Sequence, residues 1–224
     1  MNRRWSAAAV LAASGAMLAL GVWLITDGSS DPTAAVVESV GHRPTATIAP
    51  TTAPTATTAA ASPPTSSPAP ALPATPARIV IPAISVDSDI VSVGLDQARA
   101  VEVPEDIREV GWYRHAAVPG SATGSAVLVA HRDGRVQGHG VFYDLGLLNV
   151  GDRVQVTTAD GDRIRYRVVA RELIQKSAFG EAAPDLFSLI GEARLTLISC
   201  GGYYDRNAGG YQANIVVTAV PEAS

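Results

Sequence analysis

The sequence is poor in cysteine, in aromatic residues and in basic charge. Its 224 residues include one cysteine, Cys200, so no second thiol is present for an intramolecular disulfide. One cysteine and four scattered histidines do not give the paired spacing of a zinc site, and no metal site is expected. Aromatic residues make up 5%, so a core has to be built from Val, Ile and Leu. Seventeen basic and 21 acidic residues give a net charge of -4, which argues against a nucleic-acid-binding protein.

Residues 1–26 have the composition of a membrane-spanning helix. Arg3 and Arg4 precede residues 5–25, which carry no charge. A bilayer-spanning helix takes about 20 apolar residues, whereas the core of a cleavable signal peptide has about 7–15. We therefore predict an N-terminal transmembrane signal-anchor over residues 1–26, with a cleaved signal peptide as the alternative. Because arginines stay in the cytoplasm, everything after Thr26 is predicted to lie outside the cell membrane, which the chain crosses once.

Residues 27–76 are predicted to be a disordered extracellular linker. Ten of the 15 prolines lie there among Ala, Thr and Ser, and residues 44–76 carry no charge. Such a segment has too little large apolar surface to offset the entropy lost on folding, and proline favours extended polyproline II. The linker would hold the following domain away from the membrane.

Residues 77–221 are predicted to form one mainly β domain. Residues 153–158 and 163–168 alternate apolar and polar side chains around Asp160 and Gly161, which predicts a hairpin with one buried face. Residues 126–130 are apolar throughout, as in a central strand. A short helix is predicted at residues 181–190, with Pro184 in its first turn. Strand-forming runs are found at residues 78–81, 90–93, 126–130, 141–145, 153–158, 163–172, 195–200 and 214–219. Together they predict a β-barrel or a β-sandwich.

Cys200 and His131 are the candidates for nucleophilic chemistry. Cys200 ends a predicted strand in which Thr196, Ile198 and Cys200 share a face, and two glycines follow it. A catalytic thiol needs a partner that moves protons and a group that stabilises the oxyanion. His131 directly follows the apolar strand 126–130, where a rigid scaffold presents reactive groups. A small buried residue is the alternative for Cys200, and a solvated loop residue is the alternative for His131.

Arg206 is the candidate for the oxyanion-stabilising group. It is the only basic residue after Cys200, and a guanidinium can donate paired hydrogen bonds to a substrate oxygen. A surface ion pair with a neighbouring acid such as Asp205 is the alternative. No glycine-rich phosphate-binding loop and no G-x-S-x-G motif is found.

The chain resembles the sortases, which are membrane-anchored cysteine transpeptidases of Gram-positive bacteria. Residues 196–200, TLISC, are similar to the T-L-x-T-C strand of that family, and residues 126–131, AVLVAH, to its strand ending in Gly-His. Residues 78–84 resemble its I-P-x-I segment. Residues 200–202 and 211–217 are most similar to the class F sortases of actinobacteria. The likeness extends from residue 78 to residue 219.

The resemblance implies a closed eight-stranded β-barrel with one or two short helices and no cofactor. It implies that Cys200 attacks the carbonyl of an L-P-x-T-G-like sorting signal and forms an acyl-thioester. His131 would move the protons and Arg206 would hold the carbonyl. The partners would be exported proteins with a C-terminal sorting signal, and a peptidoglycan precursor or another amine as acceptor. Transfer to water would make the enzyme a hydrolase.

Two other functions remain open from the sequence. An L,D-transpeptidase is also an exported Cys-His enzyme, but it has a histidine two residues before the nucleophile, where this chain has Ile198. A stalked extracellular binding module would explain the anchor and the linker, and its cysteine would be inert.

Overall fold

The computed structural model describes residues 36–44 and 74–223. The predicted transmembrane segment 1–26 and most of the predicted linker 27–76 lie outside these residues. In the described part of the chain, no helix has the length and apolar character needed to cross a bilayer.

The described residues form eleven strands, one α-helix and three single 3₁₀ turns. The strands are β1 (Val36–Gly41), β2 (Pro76–Ile81), β3 (Val86–Val93), β4 (Val110–Tyr113), β5 (Ser125–Val129), β6 (Asp133–Gly134), β7 (Gly138–His139), β8 (Arg153–Thr158), β9 (Arg163–Gln175), β10 (Arg194–Asp205) and β11 (Gly210–Pro221). The helix is α1 (Phe179–Leu186), and the 3₁₀ turns are Pro82–Ile84, Leu145–Leu147 and Lys176–Ala178.

Eight of these strands close into a barrel, as the resemblance implies. The hydrogen-bonded order is β9, β11, β10, β5, β4, β3, β2 and β8, and β8 pairs again with β9. The neighbours β5 and β10 are parallel, as are β3 and β4, and the other pairs around the barrel are antiparallel. Closure leaves few unpaired strand edges.

Apolar side chains alternate between the barrel interior and its outer face. The interior cluster includes Leu128 and Leu197 from the central strands and Val154 and Val156 from β8. The predicted hairpin of β8 and β9 is confirmed, with Gly161 at a φ of +89° in its turn. A second cluster lies on the outer face of β5, β10 and β11. It includes Val129, Ile198 and Val216, and α1 covers it with Leu186.

The predicted short helix is present, but three details of the predicted elements are wrong. Residues 141–145 form turns rather than a strand, and from there Phe142, Leu145 and Leu148 enter the barrel core, so the apolar run serves the core from a loop. The helix spans Phe179–Leu186 rather than residues 181–190, and Pro184 lies near its end. The helix ends in a tighter turn, because the Ser188 amide donates to the Asp185 carbonyl three residues back (3.1 Å) rather than to a carbonyl four residues back.

Residues 36–44 depart from the predicted linker. They form β1, which pairs antiparallel with residues 170–174 of β9, on the part of that strand that β8 does not reach. An unpaired strand edge has amides and carbonyls that can hydrogen-bond to any extended segment. This part of the linker provides the hydrogen-bond partners. Arg43 then ion-pairs with Glu172 and with Asp185 of α1, both at 3.3 Å, and the buried Arg194 donates to the carbonyl of Pro44 (2.9 Å).

Candidate active site

The parallel pairing of β5 and β10 brings His131 and Cys200 together. Val129 of β5 is in register with Ile198 of β10, and the Ala130 amide donates to the Ile198 carbonyl (3.2 Å). His131 and Cys200 each lie two residues further along, so they leave neighbouring strands side by side. Residues two apart on a strand share a face, and both side chains therefore follow Val129 and Ile198 to the outer face of the barrel.

Cys200 is a free thiol that is only partly buried. Ser199, the residue before it, turns inward and donates its hydroxyl hydrogen bond to the Ala130 carbonyl (2.9 Å), which ties the two strand ends together. The predicted alternation of Thr196, Ile198 and Cys200 on one face is confirmed, because Ile198 belongs to the outer cluster and Leu197 to the interior one. A thiol that opens onto a cavity is not simply a buried packing residue.

Cys200 and His131 line one cavity of about 620 Å³ on the outer face of the barrel. One wall is the segment between β3 and β4, which contributes residues such as Val101 and Val103. The opposite wall contains Phe179 of α1 and Phe187, the residue that follows the helix. Its lining is mostly apolar, so it can hold a peptide in an extended form and exclude water from the thiol.

Hydrogen bonds hold the segment that carries His131. The His131 carbonyl accepts from the Phe142 amide (3.1 Å), and the next carbonyl, that of Arg132, accepts from the Gly140 amide (2.8 Å). A Cβ on Gly140 would lie 2.7 Å from the carbonyl carbon of His131 and would push against it. Gly140 is therefore required for the placement of His131. The sequence does not predict this role, since a glycine in a loop carries no distinctive signal.

Aromatic residues fix the next residue of this segment, Arg132. Its guanidinium carbon lies 5.5 Å from the ring centre of Tyr143 and 5.2 Å from that of Tyr211, distances typical of cation–π contacts. The Tyr211 hydroxyl donates to the Asp133 carboxylate, and this hydrogen bond is the main reason why the pKa of Tyr211 is raised. The loop after β5 is thereby attached to β11.

The two glycines after Cys200 serve the barrel. A Cβ on Gly201 would lie 2.5 Å from Cγ1 of Ile215, and Gly202 has a φ of +73° at the irregularity where β10 and β11 shift register. The strand itself therefore requires small residues at these two positions.

Arg206 lies apart from the cavity. It is exposed in the turn between β10 and β11 and does not contribute to the cavity lining, whereas Asn214, the partner of Cys200 on β11, does. The structure thus brings together two of the three predicted site residues. Asn214 was missed because strand pairing, not sequence, puts it opposite the thiol.

The comparisons agree with this architecture. The sortase-domain family model matches residues 79–222. Sortase C-1 from Actinomyces oris is 24% identical, with 66% of this chain and 72% of that chain covered and a TM-score of 0.51. Sortase C1 from Streptococcus agalactiae is 23% identical, with 66% and 67% covered and a TM-score of 0.51. A lid mutant of sortase A from Corynebacterium diphtheriae is 20% identical, with 70% and 75% covered and a TM-score of 0.50. Comparison with curated protein sequences finds no match.

The chain belongs to the sortase family, because the family model covers most of its length. It is a cysteine transpeptidase with the family's closed barrel. This identity excludes the inert binding module as its function.

Proposed function

We propose that the enzyme cleaves an L-P-x-T-G-like sorting signal through an acyl-thioester on Cys200 and transfers the acyl chain to an amine. The observation that carries this proposal is the adjacency of Cys200 and His131 at the ends of two parallel strands, in a cavity with a mostly apolar lining. Such a cavity suits the leucine and proline of the signal, and it lowers the access of competing water to the thioester.

The first half-reaction acylates the enzyme. The Cys200 thiolate attacks the carbonyl carbon of the threonine, and a tetrahedral intermediate forms. The C–N bond to glycine then breaks while protonated His131 donates its proton to the leaving nitrogen. In the second half-reaction neutral His131 takes a proton from the incoming amine, which attacks the thioester carbonyl. The C–S bond breaks, and an amide and the free thiolate result. Water in place of the amine yields a carboxylic acid.

Arg206 is proposed to donate hydrogen bonds to the substrate carbonyl oxygen during both half-reactions. For this role the turn between β10 and β11, in which Arg206 is exposed, has to close over the bound peptide. Gly209 and Gly210, with φ values of +83° and +137°, end that turn and permit backbone conformations that other residues resist.

We also propose the sortase class of the enzyme, its partners and its location. Gly201 and Gly202 after the nucleophile, together with the motif at residues 211–217, support assignment to class F. The acyl donors would be exported proteins with a C-terminal sorting signal, and the acceptor a peptidoglycan precursor or another amine. The uncharged run at residues 5–25 supports a single-pass anchor in the cell membrane with the barrel outside.

The decisive experiment incubates the full chain with L-P-x-T-G peptides and a glycine-based amine and follows the products by mass spectrometry. We expect cleavage between Thr and Gly, an enzyme adduct with the mass of the acyl fragment, and a transfer product that depends on the amine. Cys200→Ala should form no adduct and show no turnover. In His131→Ala, turnover should fall about 10²-fold or more. Cleavage that persists in Cys200→Ala would contradict the proposal.

Arg206 needs a separate variant. Arg206→Ala should lower kcat about 10²-fold, as the loss of one oxyanion donor does, and Arg165→Ala, exposed on β9, is the matched control that should keep wild-type turnover. Near-normal turnover of Arg206→Ala would remove Arg206 from the mechanism and leave the Cys200 and His131 roles intact.

A further inference from the structure

The active-site cavity carries charge of one sign. Besides Cys200 and His131, its lining contains two charged side chains, Arg99 and Lys176, and no described carboxylate contributes to it. This is notable in a chain whose net charge is -4. Both cations are exposed, and no described carboxylate forms an ion pair with either of them. They are therefore free to pair with a ligand.

The two cations come from opposite sides of the cavity. Arg99 lies in the segment between β3 and β4, whereas Lys176 opens the turn that leads from β9 into α1. In the barrel order β4 and β9 flank β5, which leads to His131, and β10 and β11, which carry Cys200 and Asn214. A peptide that crosses the thiol passes between a guanidinium on one side and an ammonium on the other.

The backbone at Arg99 is fixed in an uncommon conformation. Its φ is +64°, a region that residues other than glycine rarely adopt. Hydrogen bonds close the turn around it. The Arg99 amide donates to the Asp96 carbonyl (3.0 Å), and the Ala100 amide donates to the Asp96 carboxylate (2.9 Å). A left-handed residue that lines a functional cavity points to a role for that position.

We propose that Arg99 and Lys176 select a sorting signal with an acidic side chain at its variable position. This inference rests on the proposed function and names its substrate class. In an L-P-x-T-G-like signal the leucine and proline suit the apolar lining, and the variable residue is the one that is open to charge. A glutamate or aspartate there pairs with the two cations, whereas a lysine is repelled. Exposed ion pairs are worth little each, so the preference is moderate and weakens with salt.

Three peptides that differ only in having Glu, Gln or Lys at the variable position test this inference. With the full wild-type chain at low salt we expect kcat/KM to fall from Glu to Gln to Lys, with steps of about 3- to 10-fold. The Glu-to-Lys ratio should shrink in high salt. The double variant Arg99→Gln/Lys176→Gln should bring the ratio close to one. The control Arg163→Gln/Arg165→Gln removes the same charge from the exposed face of β9 and should keep the wild-type ratio.

The outcomes separate this inference from the proposed function. Three results overturn the inference: equal kcat/KM for the three peptides, a preference for Lys, or an unchanged Glu-to-Lys ratio in the double variant. In each case cleavage of the peptides still upholds the proposed function. If the double variant lowers kcat/KM for all three peptides by the same factor, the two residues affect the structure and not the choice of peptide. The inference is then also wrong. If no peptide is cleaved, the proposed function fails. The affinity of the wild-type chain for the three peptides, measured by fluorescence anisotropy, then tests the charge preference. The inference expects affinity to fall from Glu to Gln to Lys, and any other order overturns it.

Discussion

At the scale of single residues, the placement of His131 depends on a glycine that touches its backbone. Gly140 is buried, and a methyl group there would press on the His131 carbonyl. Because reacting groups have to be held within a fraction of an ångström of their productive positions, a small displacement of the imidazole lowers turnover strongly.

Gly140→Ala should therefore reduce kcat about 10- to 100-fold while the barrel remains folded. The measurements are steady-state kinetics and far-ultraviolet circular dichroism. Gly180→Ala is the control, because Gly180 has a normal helical conformation and nothing near its missing Cβ. Wild-type turnover in Gly140→Ala would show that the His131 segment tolerates the displacement.

At the scale of elements, residues 36–44 add strand β1 beside β9 and bring a cation, Arg43, to a buried carboxylate. Glu172 of β9 is 9% exposed, and burial raises its pKa, although Arg43, which follows β1, opposes the rise. Asp185 raises that pKa further and His42 lowers it. Burial prevails over the ion pair, in which the Arg43 guanidinium lies 3.3 Å from Oε2 of Glu172. A carboxyl with a raised pKa favours the folded state below its unfolded pKa and loses that contribution as the pH rises through the folded value.

The stability of the protein should therefore fall as the pH rises from about 4.5, the ordinary pKa of a glutamate, through the raised value. Glu172→Gln should flatten this dependence, and Arg43→Ala should steepen it because the opposing cation is lost. Thermal unfolding between pH 4 and 8 measures both slopes, with Arg78→Ala, which breaks an exposed pair with Asp87, as control. If the melting temperature depends on pH equally in wild type and Glu172→Gln, Glu172 does not contribute to the pH dependence of stability.

At the scale of the whole molecule, the sequence predicts an enzyme held at the outer face of a membrane by residues 1–26. That segment lies outside the described residues, so its function stays a prediction. Lipid attachment would confine the barrel to the surface where exported chains emerge, and the linker would set its distance from the bilayer.

The full chain should float with lipid vesicles and resist alkaline extraction, whereas a chain that starts at residue 27 should remain soluble and keep its peptidase activity. Flotation on a density gradient and a peptide cleavage assay measure the two properties. Mass spectrometry of the protein from its membrane distinguishes anchor from signal peptide, since a mature chain that starts near residue 27 would contradict a retained anchor.

Sequence and tertiary structure determine different features of the protein. Local alternation predicted the hairpin of β8 and β9 and the shared face of Ile198 and Cys200, because side-chain periodicity directly reports which face is buried. The strand predicted at residues 141–145 is wrong, because an apolar run in a loop that fills a core has the composition of a strand. Local alternation also missed β1, whose reason to form is an unpaired edge more than a hundred residues further along the chain.

The sequence by itself determined the strand character of the domain, the two chemical groups Cys200 and His131, and the family to which their motifs belong. Only the tertiary structure decided that these groups lie side by side, that Arg206 lies apart from them, and that Arg99 and Lys176 face the same cavity. The reason is physical. Residue type and periodicity are local properties of the chain, whereas the register between strands and the walls of a cavity come from contacts between segments that are distant in sequence.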